Sequence, residues 1–346
     1  MKINQWCNII RWEVSDVKLF LRSREFLWQE GHCVYGTEEE CDKETLAYLN
    51  EYKKLCEELL ALPVLIGKKT EKEKFAGAKY TTTIEAFMPD GKALQCGTSH
   101  NLGQDFAKAF GISYLGKDGE KYLPWQSSWG FSTRLIGAMV MTHSDDKGLV
   151  LPPRIAPIQI VIVPIFKEEN KDEVMKKAKE LKSGLRDYSV ELDDREGYTP
   201  GWKFNEWELK GIPLRIEIGP KDIEKEQAVF ARRDTGKKEF VKIKVLKEEA
   251  EKILSEIQKS LLHKAKEYLE SSIKSARTWE EFKKITGNKQ IAKADFCGRI
   301  ECEDEIKSET GGVTSRCLPF EQDEKVGKCV KCHKDAEHSA YFGKSY

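Results

Sequence analysis

The stretch that most constrains this chain is FLRSREFLWQEGH, Phe20 to His32, taken with Arg11-Trp12-Glu13 just ahead of it. It reads as an arginine–glutamate strand, a short loop, and a second strand carrying Arg22, Glu25 and Phe26. Glu30 and His32 follow Trp28 at alternate positions, so on a strand all three share one face. An arginine fork gives a phosphate two parallel charge-assisted hydrogen bonds and keeps its proton, and a phenyl ring offers a base a flat surface. Such a frame can grip a nucleotide at phosphate and base together. The alternative is an amphipathic strand pair whose arginines make only surface salt bridges.

Length and composition leave room for this. With 346 residues the chain predicts two or three domains and an ample core. Lysine plus arginine equals aspartate plus glutamate at 58 each, so a polyanion must be met by a local basic face. No segment approaches the ~18 apolar residues of a membrane span, and the first residues lack a secretory signal. The most apolar stretch, Ile155–Phe166, holds two prolines and is strand-like. A cytoplasmic location is therefore expected. The ten cysteines agree, because half lie after Asp295 at spacings that suggest metal rather than disulfides.

Along the chain, Thr37 to Ala61 has helical spacing of its leucines, closed by Pro63. Tyr80–Ile84 and Ala93–Cys96 predict strands about the Pro89-Asp90-Gly91 turn. His100–Phe110 predicts a short helix, Trp125–Arg134 a strand, and Leu135–Thr142 a buried helix. Leu151–Arg154 reads as a linker. Beyond it come strand (Gln159–Pro164), helix (Asp172–Leu185), strand (Ser189–Leu192), a further helix, and strand (Leu214–Ile218), which implies a small α/β domain. A long charged helix follows, about Lys247 to Ser275.

With LQCGTSH (Leu94–His100) and SSWGFSTRLIGAMVM (Ser127–Met141) in order after the first stretch, the chain resembles class II aminoacyl-tRNA synthetases. WQEGH, KTEKEKFAG and GTSHNLGQ make it most similar to the prolyl-tRNA synthetases of the archaeal and eukaryotic type. The resemblance implies an α+β protein. A class II antiparallel sheet with flanking helices would occupy residues 1–152, an α/β anticodon-binding domain 153–260, and a small α+β zinc-binding domain 261–346. It implies proline–tRNA ligation with ATP as substrate, Mg²⁺, and tRNA(Pro) as partner. In that frame Arg11 holds the α-phosphate and reaches the proline carboxylate, Arg22 takes the second arginine role, and Arg134 meets the γ-phosphate. Phe26 stacks on adenine, Glu13 and Glu25 orient the arginines or read the adenine amino group, and Gln95 and Thr98 contact the nucleotide. Ser132 stands where relatives often carry threonine and keeps the hydroxyl. The proline pocket is expected from Trp28, Glu30, Phe75 and His100. Without the resemblance, Trp28 and Phe75 read more readily as core aromatics. His143-Ser144-Asp145 is not expected to form a triad, since adjacent residues rarely converge that way.

Further along, Gly201–Asp222 mixes Trp202, Phe204 and Trp207 with Lys203, Lys210 and Arg215, and Arg232-Arg233 follow. Stacking aromatics among cations suit an anticodon loop, with Lys210, Arg215 and Arg232 as candidate tRNA contacts. Strand-core duty for Trp202 or Trp207 is the alternative. Cys297-x₄-Cys302 and Cys329-x₂-Cys332 have the spacing of a closed tetrahedral Zn²⁺ site. Cys317 and His333 are rival ligands, and four unligated thiols are the other reading.

In relatives, motif 1 and a Thr-x-Glu segment precede the stretch that begins here at Asn4-Gln5-Trp6. The chain is therefore expected to be an N-terminally truncated member whose homodimer interface from motif 1 is absent. A tRNA- or partner-binding module without ligase activity is the competing expectation. The final Tyr346 is expected to fold back towards the catalytic domain.

Overall fold

The computed structural model describes residues 1–322 and 326–346. The chain opens with β1 (Lys2–Ile10), β2 (Glu25–Tyr35), α1 (Glu38–Lys54), β3 (Leu65–Lys68), β4 (Tyr80–Phe87), β5 (Ala93–Gly103) and α2 (Asp105–Phe110). The small hairpin β6 (Tyr114–Leu115) and β7 (Lys121–Tyr122) precedes β8 (Trp125–Ser132) and α3 (Arg134–His143). Then come β9 (Ile160–Pro164), α4 (Lys171–Gly184), β10 (Val190–Leu192), α5 (Pro200–Leu209), β11 (Leu214–Ile218), α6 (Pro220–Glu224), β12 (Gln227–Arg232) and β13 (Lys238–Lys242). The remainder is α7 (Leu246–Ser272), β14 (Ile273–Ala276), α8 (Trp279–Gly287), β15 (Ile291–Phe296), α9 (Ile300–Glu309), β16 (Val313–Pro319) and β17 (His338–Lys344). Two compact units result. Met1–Glu57, Leu62–Ala138 and Lys266–Tyr346 form one, and Glu58–Ala61 with Met139–Ala265 form the other.

The first unit is built on a ten-stranded sheet in the order β1-β2-β8-β5-β4-β3-β16-β17-β15-β14. Its first seven strands pair antiparallel throughout. The C-terminal strands join through β3 and β16, where Leu318 faces Lys68 and Pro319 faces Gly67. Gly67 permits this approach, because a Cβ there would sit 2.2 Å from the Leu318 carbonyl oxygen. α1 starts at Thr37, whose hydroxyl accepts from the Glu40 N–H, with three glutamates in the first turn and Lys53-Lys54 in the last. It widens into a π-helical turn at Leu55–Leu59, which brings Cys56 into the core. Edge strand β1 leaves Trp6 and Ile10 exposed, as is Trp12 just beyond it.

The second unit is a five-stranded sheet, β10-β9-β11-β12-β13, with β10, β9 and β11 parallel. β9 is buried on both faces, as its unbroken Ile-Val-Ile-Val run requires. Ile160 and Ile162 pack with Val174, Ala178 and Leu181 of α4 and with Ile253 and Ile257 of α7. Val161 and Val163 pack on Trp207 and Ile212.

Several expected boundaries move, each for a local reason. Arg11-Trp12-Glu13 and Arg22 lie in the loop between β1 and β2 rather than on strands. β5 continues through His100 to Gly103, because His100 pairs with Thr81 on one side and Ser128 on the other, and the helix begins only at Asp105. Arg134 opens α3 instead of ending β8: its N–H donates to the Ser132 hydroxyl and turns the chain. Trp202 and Trp207 sit on a helix, α5, with Thr199 as cap and Pro200 in the first turn. Trp207 is buried there and Trp202 exposed.

Candidate active site

A cleft of 520 Å³ opens over the face shared by β2, β5 and β8. Alternation on β2 delivers Phe26, Trp28, Glu30 and His32 to it. β5 supplies Gln95, Thr98 and His100, and β8 supplies Gln126, Ser128 and Ser132. Arg11, Phe75 and Arg134 complete it from the loop after β1, the β3–β4 loop and the start of α3. Gly31 on β2 has no room for a side chain, since a Cβ would fall 2.1 Å from the Trp129 ring. Trp129 in turn stacks on Tyr48 of α1 at 3.9 Å, which fixes β8 against the helix.

At one end the cations gather. The Arg11 guanidinium lies 5.2 Å from the centre of the Phe26 ring, and Phe26 meets Trp28 edge-on at 6.0 Å. Arg134 is held by two carbonyls, donating from Nε to Leu21 at 2.9 Å and from Nη1 to Gln95 at 3.1 Å. Burial lowers its pKa; Cys96 and Glu85 oppose that shift, while the charges of Arg11 and Arg22 add to it. Among the described residues, no carboxylate pairs with Arg11, Arg22 or Arg134. Among the described residues their charge is therefore not cancelled by a direct ion pair.

The other end is aromatic, with an uncharged imidazole. Phe75 lies 5.2 Å from His100, ring centre to ring centre. The His100 Nδ1 meets the Thr81 hydroxyl at 2.9 Å and Nε2 meets the Thr98 hydroxyl at 3.0 Å. Burial pushes its pKa down to about 4, so the imidazole is uncharged at neutral pH. Glu30 accepts from the Gln5 amide at 3.0 Å and sits 3.1 Å from His32.

The expected site residues thus meet in one cleft with three exceptions. Glu13 and Arg22 are exposed in the β1–β2 loop, and Glu25 is turned to β1, where it accepts from Asn8 at 2.7 Å. Sequence reasoning missed Gln126, Ser128 and Phe106, which also line the cleft. Period-two alternation along SSWGFS would have found Ser128. Gln126 Oε1 and Trp129 Nε1 are buried without hydrogen-bond partners among the described residues. His143 Nε2 engages the Leu60 carbonyl at 2.9 Å while Asp145 binds Arg233, so no triad forms.

In the second unit a smaller cleft of 200 Å³ is lined by Lys147, Trp207, Glu208, Arg215, Arg232, Arg233 and Lys238. Its cations are paired. Arg215 reaches Glu217 at 2.9 Å, Arg232 reaches Asp234 at 2.9 Å, and Arg233 reaches Asp145 at 2.6 Å. Lys210 lies outside this cleft, bound to Glu206 at 2.7 Å and 4.6 Å above the Trp207 ring.

Cys297, Cys302, Cys329 and Cys332 form the third cluster, their sulfurs all within 4.8 Å of one another. The Cys302–Cys329 and Cys297–Cys332 separations are 3.7 Å each. A tetrahedron of thiolates ~2.3 Å from a metal has edges of roughly 3.8 Å, so the donor set fits. Cys317 is buried on β16 and His333 is outside the cluster.

Three family descriptions match successive parts of the chain. They are the class II tRNA synthetase core domain (G, H, P, S and T) over residues 1–143, the anticodon binding domain over 159–257, and the prolyl-tRNA synthetase C-terminal domain over 279–346. The chain is 53% identical over 345 residues to the proline–tRNA ligase of Alkaliphilus oremlandii, covering 99% of the chain and 71% of that relative. It belongs to the prolyl-tRNA synthetase family. The proline–tRNA ligase 2 of Bacillus thuringiensis strain Al Hakam is 51% identical over 344 residues, 99% of the chain and 71% of its own length. The proline–tRNA ligase of Clostridium novyi is 51% identical over 346 residues, 100% of the chain and 72% of its own length. All three relatives are bacterial, so they do not support the archaeal or eukaryotic type expected from the motifs. Class II membership carries ATP as substrate with Mg²⁺, and the three-part α+β fold agrees with the sequence expectation. Among the described residues no helix is long and apolar enough to cross a membrane.

Proposed function

We propose that the protein is a proline–tRNA ligase: it joins proline to ATP as prolyl-adenylate with release of pyrophosphate, then passes the prolyl group to the 3′ end of tRNA(Pro). The observation that carries this is the cleft's polarity, with guanidiniums that no described carboxylate pairs at one end and an aromatic pocket holding an uncharged imidazole at the other. Arg11 and Arg134 hold and orient the triphosphate, while Phe26 offers its ring to adenine. Arg22 takes its phosphate role only if the β1–β2 loop closes over the nucleotide. Glu13 and Glu25, outside the cleft, act by orienting that loop. Gln95, Thr98 and Ser132 flank the nucleotide, and Trp28, Glu30, Phe75 and His100 enclose proline. In-line attack by the proline carboxylate on the α-phosphorus builds charge on equatorial oxygens, which fixed cations stabilise without any nucleophilic side chain. Mg²⁺, when bound, neutralises phosphate charge in the same step. A neutral His100 adds no positive charge beside the ring NH₂⁺ of proline.

The same reading assigns residues 1–152 to catalysis, 153–260 to the anticodon and 261–346 to a zinc-binding domain. Lys210, Arg215 and Arg232 contact the tRNA. The four thiolates hold Zn²⁺ as a closed structural site. Exposed Trp6 and Ile10 on edge strand β1 favour a homodimer or other cover for that face. Ten cysteines, none in a disulfide, favour a reducing, cytoplasmic compartment. The chain spans 71% of the length of these relatives. A tRNA- or partner-binding module without ligase activity is the second reading. Proline-dependent ATP–pyrophosphate exchange separates them. Exchange with proline but not with threonine or histidine supports the ligase, whereas tRNA(Pro) binding without exchange supports the module.

A further inference from the structure

Glu303 on α9 is a fully buried carboxylate that has no part in the chemistry above and no cationic partner among the described residues. It is satisfied by neutral donors instead. Its Oε1 accepts from the Ser315 N–H at 3.2 Å and from the Ser315 hydroxyl, and its Oε2 accepts from the Thr70 hydroxyl at 2.9 Å. A buried anion spent on hydroxyls is expensive unless it fixes something.

What it fixes is the start of the β3–β4 loop. Thr70 is 3% exposed, and its carbonyl accepts from the Glu73 N–H at 3.1 Å and the Lys74 N–H at 2.9 Å. The next residue, Phe75, donates its N–H to the Thr81 hydroxyl at 2.9 Å, and that same hydroxyl engages His100 Nδ1. The loop is also clamped one residue earlier. Lys69 binds Glu85 at 2.6 Å and the Arg316 carbonyl at 2.8 Å, and Arg316 reaches Glu85 at 2.8 Å. A continuous chain of polar contacts therefore runs from α9 and β16, in the C-terminal segment, to the Phe75–His100 wall of the cleft. Glu303 directly follows Cys302, so the thiol cluster and this wall share one helix.

We propose that Glu303 and Thr70 are positioning residues for amino-acid selection: the C-terminal segment, through them, holds Phe75 against His100 and sets the shape of the proline pocket. This rests on reading that end of the cleft as the proline site. An apolar pocket discriminates small amino acids by only ~1–3 kcal/mol per methylene, so a wall free to shift forfeits affinity and selectivity together. The nucleotide end stands on other supports, the Leu21 and Gln95 carbonyls that hold Arg134.

The test uses Thr70→Val, which keeps the shape and removes the hydroxyl, and Thr70→Ser, which restores it, in the full-length protein with metal content measured. Thr70→Val should raise KM for proline roughly tenfold while kcat and KM for ATP stay within about twofold. Thr70→Ser should stay close to the parent. Amide hydrogen exchange at Phe75 and Ala78 should quicken in Thr70→Val and not in Thr70→Ser. The proposal is overturned if KM for proline and ATP rise together, if serine fails to restore, or if those amides exchange unchanged. Should the parent protein show no proline-dependent exchange, the ligase reading fails, and the amide exchange still decides whether Thr70 holds the wall.

Discussion

The two clusters of guanidiniums in this molecule differ in one respect. In the second unit Arg215, Arg232 and Arg233 each have a carboxylate within 3 Å, and Arg195 has two. In the cleft of the first unit Arg134 is just as firmly held, but by backbone carbonyls, and Arg11 rests against an aromatic ring. Carbonyl partners orient a guanidinium without cancelling its charge. Carboxylate partners do cancel it. The first arrangement keeps a positive potential ready for an anion the chain does not contain, whereas the second spends that potential on holding the fold.

The largest expected effect tests the first half of that contrast. On the proposed reading, which puts Arg134 at the reacting phosphates, Arg134→Ala removes a preorganised cation and should lower kcat/KM for proline-dependent exchange roughly 10³-fold. Its thermal unfolding midpoint should move little, and Arg134→Lys should not recover the activity, since an ammonium cannot serve both carbonyls and a phosphate in one plane. An inactive Arg134→Ala that is also grossly destabilised would erase the distinction between the clusters.

Arg233→Ala tests the second half. The guanidinium is nearly fully buried and donates to Asp145, to the Glu208 carbonyl at 2.9 Å and to the Gly148 carbonyl at 3.2 Å. Losing these donors should destabilise the protein by about 2 kcal/mol in denaturant unfolding. Amino-acid activation by the folded fraction should be unchanged. The same pair has a pH signature. Arg233 holds the Asp145 carboxylate down at about 2, below its ordinary 3.8, so its contribution is complete above about pH 4 and fades as pH falls towards 2. Asp145 is half-exposed, which keeps that contribution small.

How far these features could be read from residues alone depends on the distance over which they are specified. The alternation Trp28, Glu30, His32 is local, and the structure keeps all three on the cleft face. The cysteine spacing is also local, and the four sulfurs meet. Arg11 and Arg22 were misread as strand residues because loop and strand differ there only in long-range pairing, which stops at Ile10 and resumes at Glu25. Likewise nothing near His100 announces that β4 and β8 both claim it, so the helix expected from His100 begins five residues later. Glu303 lies in a run of acidic residues and looks like any solvated helix face. Its burial is set by Thr70, 233 positions away.

The aromatic end of the cleft sharpens the comparison at intermediate size. His100 titrates at about 4 when folded against an ordinary 6.5, so between those values the unfolded chain binds the extra proton. Stability from this residue is complete above pH 6.5 and declines as pH falls to about 4, by about 2 kcal/mol once its partial exposure is allowed for. Denaturant unfolding of His100→Gln should lack that decline between pH 7 and 5. An unchanged slope would mean the imidazole is not held neutral by burial.

The smallest effect concerns the paired cations facing solvent. Lys210 is half-exposed and already bound to Glu206. On the proposed reading, any contact it makes with a tRNA phosphate is shared with that carboxylate, so Lys210→Ala should raise KM for tRNA(Pro) only about threefold and lower the salt dependence of binding by less than one phosphate contact. Removing Glu206 instead frees both Lys210 and Arg195 from one partner. Glu206→Gln should therefore tighten tRNA binding at low salt while costing some stability in the second unit. If Glu206→Gln weakens tRNA binding as much as Lys210→Ala does, pairing is not what mutes these cations, and the contrast between the two clusters must rest on geometry alone.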